Sequence, residues 1–330
     1  MRILGIETSC DETSASVVED GNTILANVIA SQTDLHDKFG GVVPEVASRR
    51  HVELIIPTVQ EALDQAGCRL KDIGLIGAIN RPGLIGALIV GAGAAKTIAY
   101  GAGIPLVAVH HLEAHIYANF LAHDEIEFPA LCLVVSGGHS DIIHMTGHGS
   151  YEIIARTRDD AAGEAFDKCA RAMGLGYPGG PIIDRLARQG RPDAVRFPRA
   201  RIGNTLDFSF SGLKTAVIRY VQKHEGELPI EDVAASFQQA VVDVLVGHTF
   251  RAALDKGVGQ VLVAGGVAAN SGLQAQMALR GKELGIAVNA PPPVLCTDNG
   301  AMVAAAAYYR FQAGDFAGLN MDCRASEPLG

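Results

Sequence analysis

An apolar run, a glycine turn and a second apolar run follow one another in Ala130-Leu131-Cys132-Leu133-Val134-Val135-Ser136-Gly137-Gly138-His139-Ser140-Asp141-Ile142-Ile143-His144-Met145. This pattern predicts two adjacent strands, residues 130–135 and 141–145, joined by a polar turn. The chain opens in the same way, because residues 1–6 and 14–18 are apolar runs on either side of a polar turn. Two similar openings indicate two halves built on one plan.

A third unit of this kind consists of an apolar run at residues 260–264, the turn Gly265-Gly266-Val267-Ala268-Ala269-Asn270 and a helix that starts at Ser271. Such turns present backbone N–H groups, which suit phosphate oxygens. Apolar spacing predicts further strands at residues 73–79 and 105–109. It predicts helices at residues 51–66, 85–102, 231–256 and 298–311. Gly247 could interrupt the third of these helices. Residues 176–204 indicate a long functional loop with one short helix.

The chain is longer than a single core usually allows, at 330 residues. Hydrophobic residues make up 48% of it, and 38 glycines accompany few aromatics, which favours an α/β fold with tight turns. We predict an N-terminal lobe of residues 1–110 plus 300–330 and a C-terminal lobe of residues 111–299. The active site is expected in the cleft between the two lobes.

The net charge of −9 argues against a generally basic nucleic-acid coat or a protein of anionic membrane surfaces. The six cysteines form no C-x-x-C pair, which suits a reducing cytoplasm. The most apolar stretch, residues 84–95, is too short to span a bilayer. We therefore expect a cytoplasmic protein with no membrane partner.

A histidine pair, His111 and His115, is the strongest chemical signal. Four residues make about one helical turn, so both rings would leave one face, which is a spacing typical of metal ligands. Two ligands are too few, and Asp298 or Cys296 could supply a third. Two imidazoles and a carboxylate would suit Fe(II) or Zn(II), although Asp298 could equally be a helix N-cap. Zinc peptidases carry glutamate directly after the first histidine, whereas Glu113 comes two residues on and points away, so we judge peptidase chemistry unsupported.

Several polar turns could contact a nucleotide, although each also has a purely structural interpretation. Ser136-Gly137-Gly138 could hold a phosphate or form a plain hairpin turn, and Gly180 and Asp184 could contact a nucleotide or begin a helix. Asp167 could bind a ligand hydroxyl or pair with Lys168 or Arg171. A cluster of arginines between residues 185 and 201 could bind a phosphate backbone or simply be a solvated face. The cluster consists of Arg185, Arg188, Arg191, Arg196, Arg199 and Arg201.

Taken together, these runs resemble the bacterial TsaD family of tRNA threonylcarbamoyl transferases, once labelled O-sialoglycoprotein endopeptidases. The resemblance runs nearly from end to end and includes His110-His111-Leu112-Glu113-Ala114-His115 and Tyr177-Pro178-Gly179-Gly180-Pro181. The other matching runs are residues 5–13, 40–45, 135–139, 159–168, 207–215, 264–267 with Asn270, and 296–301. One position departs: Arg81-Pro82-Gly83 stands where the family usually has Gly-Pro-Gly, in a region that relatives use for partner contact.

The resemblance implies the two-lobed fold of actin, Hsp70 and sugar kinases (ASKHA), with duplicated mixed-sheet domains. It implies a metal on His111, His115 and Asp298, usually iron, with zinc as the alternative. It implies transfer of the threonylcarbamoyl group from threonylcarbamoyl-AMP to N6 of the adenosine next to the anticodon, with a TsaB-like paralogue and a TsaE-like ATPase as partners. The implied nucleotide and threonyl contacts are Val134, Val135, Ser136, Gly137, Gly138, Asp167, Gly180, Asp184 and Asn270.

The donor is a mixed anhydride with a good leaving group, so positioning and charge stabilisation can suffice without a covalent nucleophile. Attack by the adenine amine releases a proton, and Asp11 is the candidate that assists this loss. A metal-dependent glycoprotein peptidase and an ATP-dependent small-molecule kinase of the same fold remain as alternatives.

Overall fold

The computed structural model describes residues 1–224 and 229–329. Contacts divide the chain into two compact units, Met1–Ile126 with Val294–Gly330, and Glu127–Pro293. Residues 111–126 and 294–299 thus belong to the first compact unit, whereas the sequence-based division placed 111–299 in the second lobe. The predicted lobe boundaries stay a prediction.

Each unit contains one five-stranded sheet. The strands are β1 (Arg2–Glu7), β2 (Glu12–Glu19), β3 (Thr23–Ser31), β4 (Leu75–Arg81), β5 (Leu106–His110), β6 (Ala130–Val135), β7 (Ser140–Gly147), β8 (Ser150–Arg156), β9 (Gln260–Ala264) and β10 (Ala287–Asn289).

Helices connect and cover the strands. They are α1 (Thr33–Asp37), α2 (Pro44–Gln65), α3 (Ile85–Ala102), α4 (His111–Ala122), α5 (Ala162–Ala172), α6 (Gly179–Ala187), α7 (Ser211–Lys223), α8 (Ile230–Lys256), α9 (Ser271–Leu284), α10 (Pro293–Cys296) and α11 (Gly300–Gln312).

The two sheets share one topology. The first has the order β3-β2-β1-β4-β5 and the second the order β10-β9-β6-β7-β8. In each, an antiparallel meander opens the unit, and the first strand then pairs in parallel with a later strand. Both predicted hairpins form, with Ile6 opposite Ala15 and Val135 opposite Ser140. The repeated plan predicted from sequence is therefore confirmed.

The inner strands are almost wholly buried, as expected for strands that lie in the middle of a sheet covered on both faces. All six residues of β6 are buried, and so is β1 after Arg2. Helix α11 lies against β1 so closely that a Cβ on Gly5 would come within 2.1 Å of the Gly300 carbonyl oxygen. Glycine at position 5 therefore brings the start of α11, and Asp298 just before it, close to the end of β1.

Several helices and strands differ from the sequence prediction. Helix α8 runs unbroken through Gly247, because tertiary packing outweighs the low helix propensity of one glycine. Helix α2 begins at Pro44 rather than residue 51, since proline is well placed in the first turn. Strands β3 and β8, which complete the meanders, were not predicted. Helix α11 starts at Gly300 and is capped by Asn299, not by Asp298.

Helix α3 is the one helix in the described ranges that is long and apolar enough, by length and composition, to cross a membrane. It packs against α2 and β4, and its buried residues are mainly alanine and glycine. A core helix passes the same test, so these properties alone are weak grounds for a membrane span.

Candidate metal centre and polar loops

Helix α4 begins directly after β5 and carries both histidines of the predicted pair. His111 and His115 lie one turn apart, with ring centroids 4.6 Å from each other. Both residues are buried. The helical spacing thus turns both imidazoles toward one place, as the sequence predicts.

Asp298 meets this pair from the chain just before α11. Its Oδ1 lies 3.2 Å from Nε2 of His115 and 3.7 Å from Nε2 of His111. In the described part of the chain, the group of metal-binding atoms that meets within 4.8 Å comprises these three side chains and not Cys296. Burial raises the pKa of the Cys296 thiol to about 11. The geometry therefore favours Asp298 over Cys296 as third ligand.

The three side chains fit a divalent cation. Both ring nitrogens of His115 are buried and have no hydrogen-bond partner among the residues that the structure describes, although Nε2 faces Asp298 at ion-pair distance. An unpaired buried nitrogen is costly unless something else satisfies it. Two imidazole nitrogens and a carboxylate oxygen that converge in this way match the donor set of iron(II) and zinc(II).

Glu7, at the end of β1, orients the first histidine. Nδ1 of His111 donates to Oε2 of Glu7 at 3.2 Å, and Ser9 Oγ lies 3.1 Å from the same nitrogen. This bond places the proton on Nδ1 and leaves Nε2 toward Asp298, as outer partners of metal-binding histidines do. Burial lowers the pKa of His111, but the charge of Asp298 and the bond to Glu7 outweigh it and raise the pKa to about 9. Below that pH the ring without a bound cation also carries a proton on Nε2, facing Asp298, which a metal ion would have to displace.

Glu113 is held away from this centre. It is fully buried, and its Oε2 accepts a bond from Nε of Arg310 at 2.5 Å. The prediction that Glu113 points away from the histidine face agrees with this ion pair. A peptidase mechanism that needs Glu113 as a base has no support in this geometry.

Asp11 lies in the loop between β1 and β2, and its charge acts on the same two groups as the charge of Asp298. Burial raises the pKa of Glu12, and the charges of Asp11 and Asp298 raise it further. The same two carboxylates contribute to the raised pKa of the Cys10 thiol, after burial. Asp11, Glu12 and Asp298 therefore form one group of electrostatically interacting carboxyl side chains. The sequence alone did not single out Glu12.

In the second unit, the turn after β6 has the predicted form. The Ser136 amide donates to His139 O at 2.9 Å, which closes the turn. Gly137 and Gly138 are exposed, and within the described residues their amides bond to no protein acceptor. Gly265, at φ +90°, approaches so closely that a Cβ would lie 2.3 Å from the Val135 carbonyl oxygen. Val134 and Val135 thus form a buried strand end, and the turn after it exposes the amides of Gly137 and Gly138 to solvent.

Asp167 lies in the middle of α5 and contacts the start of α6. Its Oδ1 accepts a bond from the Gly179 amide at 2.8 Å, at the beginning of α6. Gly180 follows, and a Cβ there would meet no atom within 4 Å. Lys168, one of the two alternative partners of Asp167, forms ion pairs with Asp160 and Glu164.

Asp184 and Asn270 belong to one hydrogen-bond network. Asp184 Oδ1 accepts from Ser271 Oγ at 2.7 Å and from Gln238 Nε2 at 3.2 Å. Asn270 Nδ2 donates to Gln238 Oε1 at 2.7 Å, while Asn270 Oδ1 caps α9 through the Leu273 amide. Gln238 on α8 therefore bridges two residues predicted to contact the nucleotide.

A family model described as TsaD, tRNA N6-adenosine threonylcarbamoyltransferase, matches residues 23–305. A protein of that name from Symbiobacterium thermophilum is 58% identical over 315 residues, which cover 94% of this chain and 92% of the relative. Another of that name from Clostridium botulinum (strain Kyoto) is 53% identical over 334 residues, covering 100% of this chain and 98% of the relative. The chain belongs to the TsaD family.

Solved structures share the TsaD-family chain's fold at low identity. The crystal structure of HypF from T. kodakarensis matches with a TM-score of 0.62 and 16% identity, covering 95% of this chain and 48% of that chain. Such a likeness shows the fold alone. The predicted α/β class with duplicated mixed sheets is confirmed, as are the family and the transferase class. The comparisons favour neither the peptidase nor the kinase alternative.

Three of the six arginines in the arginine-rich segment of this TsaD-family chain are paired with acidic side chains. All six arginines are exposed. Arg188, Arg191 and Arg199 form ion pairs with Asp184, Asp232 and Asp243. Within residues 1–224 and 229–329, the other three form no ion pair, and they are Arg185, Arg196 and Arg201.

Sequence reasoning missed Glu7, Glu12 and Gln238. Glu7 and Gln238 are ordinary polar residues that lie far along the chain from the residues they contact, whereas Glu12 is the direct neighbour of Asp11. No spacing rule links Glu7 with His111 or Gln238 with Asp184. The signal that could have found two of them was the polar run of residues 7–13, which includes Glu7 at the end of β1 and Glu12 at the start of β2.

Proposed function

We propose that this chain transfers the threonylcarbamoyl group from threonylcarbamoyl-AMP to N6 of adenosine 37 in tRNAs that read ANN codons, forming t6A and releasing AMP. The N6 amine attacks the carbamate carbonyl carbon, the bond from that carbon to the phosphate oxygen breaks, and N6 loses a proton. AMP is a good leaving group, so no covalent enzyme intermediate is needed.

His111, His115 and Asp298 would hold one divalent metal, with iron(II) as our first assignment and zinc(II) as the alternative. When bound, the metal would supply Lewis acidity that polarises donor oxygens. Glu7 keeps the ring of His111 in the orientation that directs Nε2 toward Asp298. Support comes from the convergence of the three side chains and from the unpaired nitrogens of His115.

The exposed amides of Gly137 and Gly138 would bind donor oxygens, because backbone N–H groups in such turns suit anions. Val134, Val135 and Ser136 shape the strand end that carries them. Asp167, Asp184 and Asn270 would orient the ribose and base, and the open space at Gly180 would admit the nucleotide. These roles are supported by the networks that already order each side chain.

Asp11 would accept the proton that N6 loses, directly or through a water molecule. Its place beside Glu12 and near Asp298 supports this role, since a base is useful only within reach of the reacting amine. The tRNA backbone would contact the exposed arginines that lack acidic partners. A TsaB-like paralogue and a TsaE-like ATPase would complete the active assembly, and we place the protein in the cytoplasm with no membrane partner.

The observation that carries this proposal is the end-to-end match to the TsaD family in a chain whose three metal-binding side chains converge. The test is mass spectrometry of tRNA nucleosides after incubation with the protein, threonylcarbamoyl-AMP and both candidate partners. We expect t6A with the native chain and none with His111→Ala plus His115→Ala. Phosphorylation of a sugar or acid by ATP, or metal-dependent cleavage of a glycoprotein, without t6A would overturn the proposal.

A further inference from the structure

Arg81, the residue that departs from the usual Gly-Pro-Gly, has a specific contact in this chain. Its Nε lies 2.9 Å from Oε1 of Glu327, and both side chains are largely shielded, at 20% and 26% exposed. The Nε–H has no hydrogen-bond partner of good geometry, so the contact is an ion pair. Nη1 of Arg81 also donates to Oδ1 of Asn80 at 2.8 Å. The arginine therefore joins the end of β4 to the carboxy-terminal segment, residues 321–329.

The carboxy-terminal segment is docked on the first unit by its backbone. Asn80 Nδ2 donates to the Asp322 carbonyl at 2.9 Å, and the Arg324 amide donates to the Asn80 carbonyl at 2.9 Å. Met321 and Leu329 are buried at its two ends. The segment is thus held along its length, and within it the Glu327 carboxylate pairs with both Arg81 and Arg324.

The same residue, Glu327, reaches the metal-bearing helix. Its carbonyl oxygen lies 3.0 Å from Nε2 of His110, which donates to it. Nδ1 of His110 accepts the Leu112 amide at 3.2 Å and so caps α4. Both bonds are made together only by the neutral ring with its hydrogen on Nε2. The cap side chain, and with it the first turn of α4 that begins at His111, is oriented by the Glu327 carbonyl.

We propose that Arg81 is a positioning residue for the metal ligands: its ion pair with Glu327 fixes the carbonyl that orients His110, and His110 fixes the first turn of the helix that carries His111 and His115. This inference rests on the proposed metal site. It adds a residue that touches neither metal nor substrate, at a position where this chain differs from the family's usual sequence. Outer partners of metal ligands commonly alter metal affinity because they set ligand orientation.

The test uses the full chain and Co²⁺ as the probe, since its visible absorption reports ligand geometry and its titration reports affinity. Arg81→Gly and Glu327→Gln are expected to weaken Co²⁺ binding about threefold to tenfold and to shift the absorption bands. Arg81→Lys keeps the charge and should restore the native spectrum. Arg280→Gln, which removes an arginine from an exposed ion pair on α9, is the matched control and should change neither quantity.

Three results would contradict the inference. Native affinity and spectrum in both Arg81→Gly and Glu327→Gln would show that the pair does not position the ligands. A lower melting temperature with an unchanged spectrum would assign the pair a purely structural role. Undiminished Co²⁺ binding by His111→Ala plus His115→Ala would show instead that the proposed metal site is wrong, which separates the two failures.

Discussion

The fully buried carboxylate of Glu7 lies 3.2 Å from Nδ1 of His111, across 104 positions of sequence. The bond ties the end of the first strand to the first turn of α4. It decides which nitrogen of His111 carries the proton, and hence which nitrogen is presented to Asp298. A residue of the first strand therefore orients one of the two histidines that we propose as metal ligands.

Glu7→Gln should weaken metal binding by about tenfold without abolishing it, because the amide oxygen can still accept the bond but carries no charge. The measurement is Zn²⁺ affinity by competition with a chelator. Glu19→Gln, on an exposed strand end in the same sheet, is the control and should leave the affinity unchanged. Equal affinities for Glu7→Gln and the native chain would remove Glu7 from the metal centre.

His111→Ala with His115→Ala should abolish stoichiometric metal binding, because one carboxylate alone cannot hold the ion. Metal content by elemental mass spectrometry, measured on purified protein, checks this directly. The far-UV circular dichroism should stay native, which distinguishes loss of ligands from loss of fold. If the double variant retained about one metal ion per chain, the proposed site of three ligands would be wrong.

Gln238→Leu should weaken AMP binding by about tenfold, because Asp184 and Asn270 lose the amide that joins them. Metal affinity should not change. Gln239→Leu is a close control, since the neighbouring Gln239 bonds only along α8, to Asp243. Calorimetric titration with AMP makes the comparison, and an unchanged dissociation constant in Gln238→Leu would contradict the proposed nucleotide contacts.

Arg185→Glu with Arg196→Glu should weaken tRNA binding and lower its salt dependence, while sparing AMP binding. Removing one arginine that binds a phosphate reduces the slope of log affinity against log salt by about one. Filter binding at several salt concentrations measures this slope. Arg251→Glu, at an exposed pair on α8, serves as the charge control. A parallel decrease in AMP binding would indicate misfolding rather than the removal of a tRNA-binding side chain.

Asp141→Asn should stabilise the protein at neutral pH. Burial, together with the charge of Asp207, raises the pKa of Asp141 from its ordinary value of 3.8 to about 6, against the opposing charge of Arg156. Between these values the native state holds a proton that the unfolded state has lost, so stability falls as pH rises toward 6. Above pH 6 the asparagine variant should be more stable by about 1–3 kcal/mol.

Urea unfolding at pH 4 and pH 7 tests this expectation. The gain should be present at pH 7 and absent near pH 4, where the native carboxyl is neutral. Asp255→Asn, at an exposed position on α8, should show no such gain. A gain of the same size at both pH values would point to packing rather than to the charge of Asp141.

The sequence by itself determined the features that depend on neighbouring residues. The spacing of His111 and His115 predicts a shared helix face because the helical period is local, and apolar alternation predicts the paired strands for the same reason. The run Ser136-Gly137-Gly138 predicts an open turn because glycine and serine favour turns regardless of what lies beyond them.

Only the tertiary structure decided which distant residues meet. Asp298 rather than Cys296 joins the histidines because α11 lies against β1 through Gly5, a contact that no local pattern encodes. Tertiary packing likewise determines three other contacts between residues far apart along the chain. These are Glu7 with His111, Gln238 with Asp184, and Arg81 with Glu327. Local spacing places side chains on one face of an element, whereas packing between elements determines which partners that face meets.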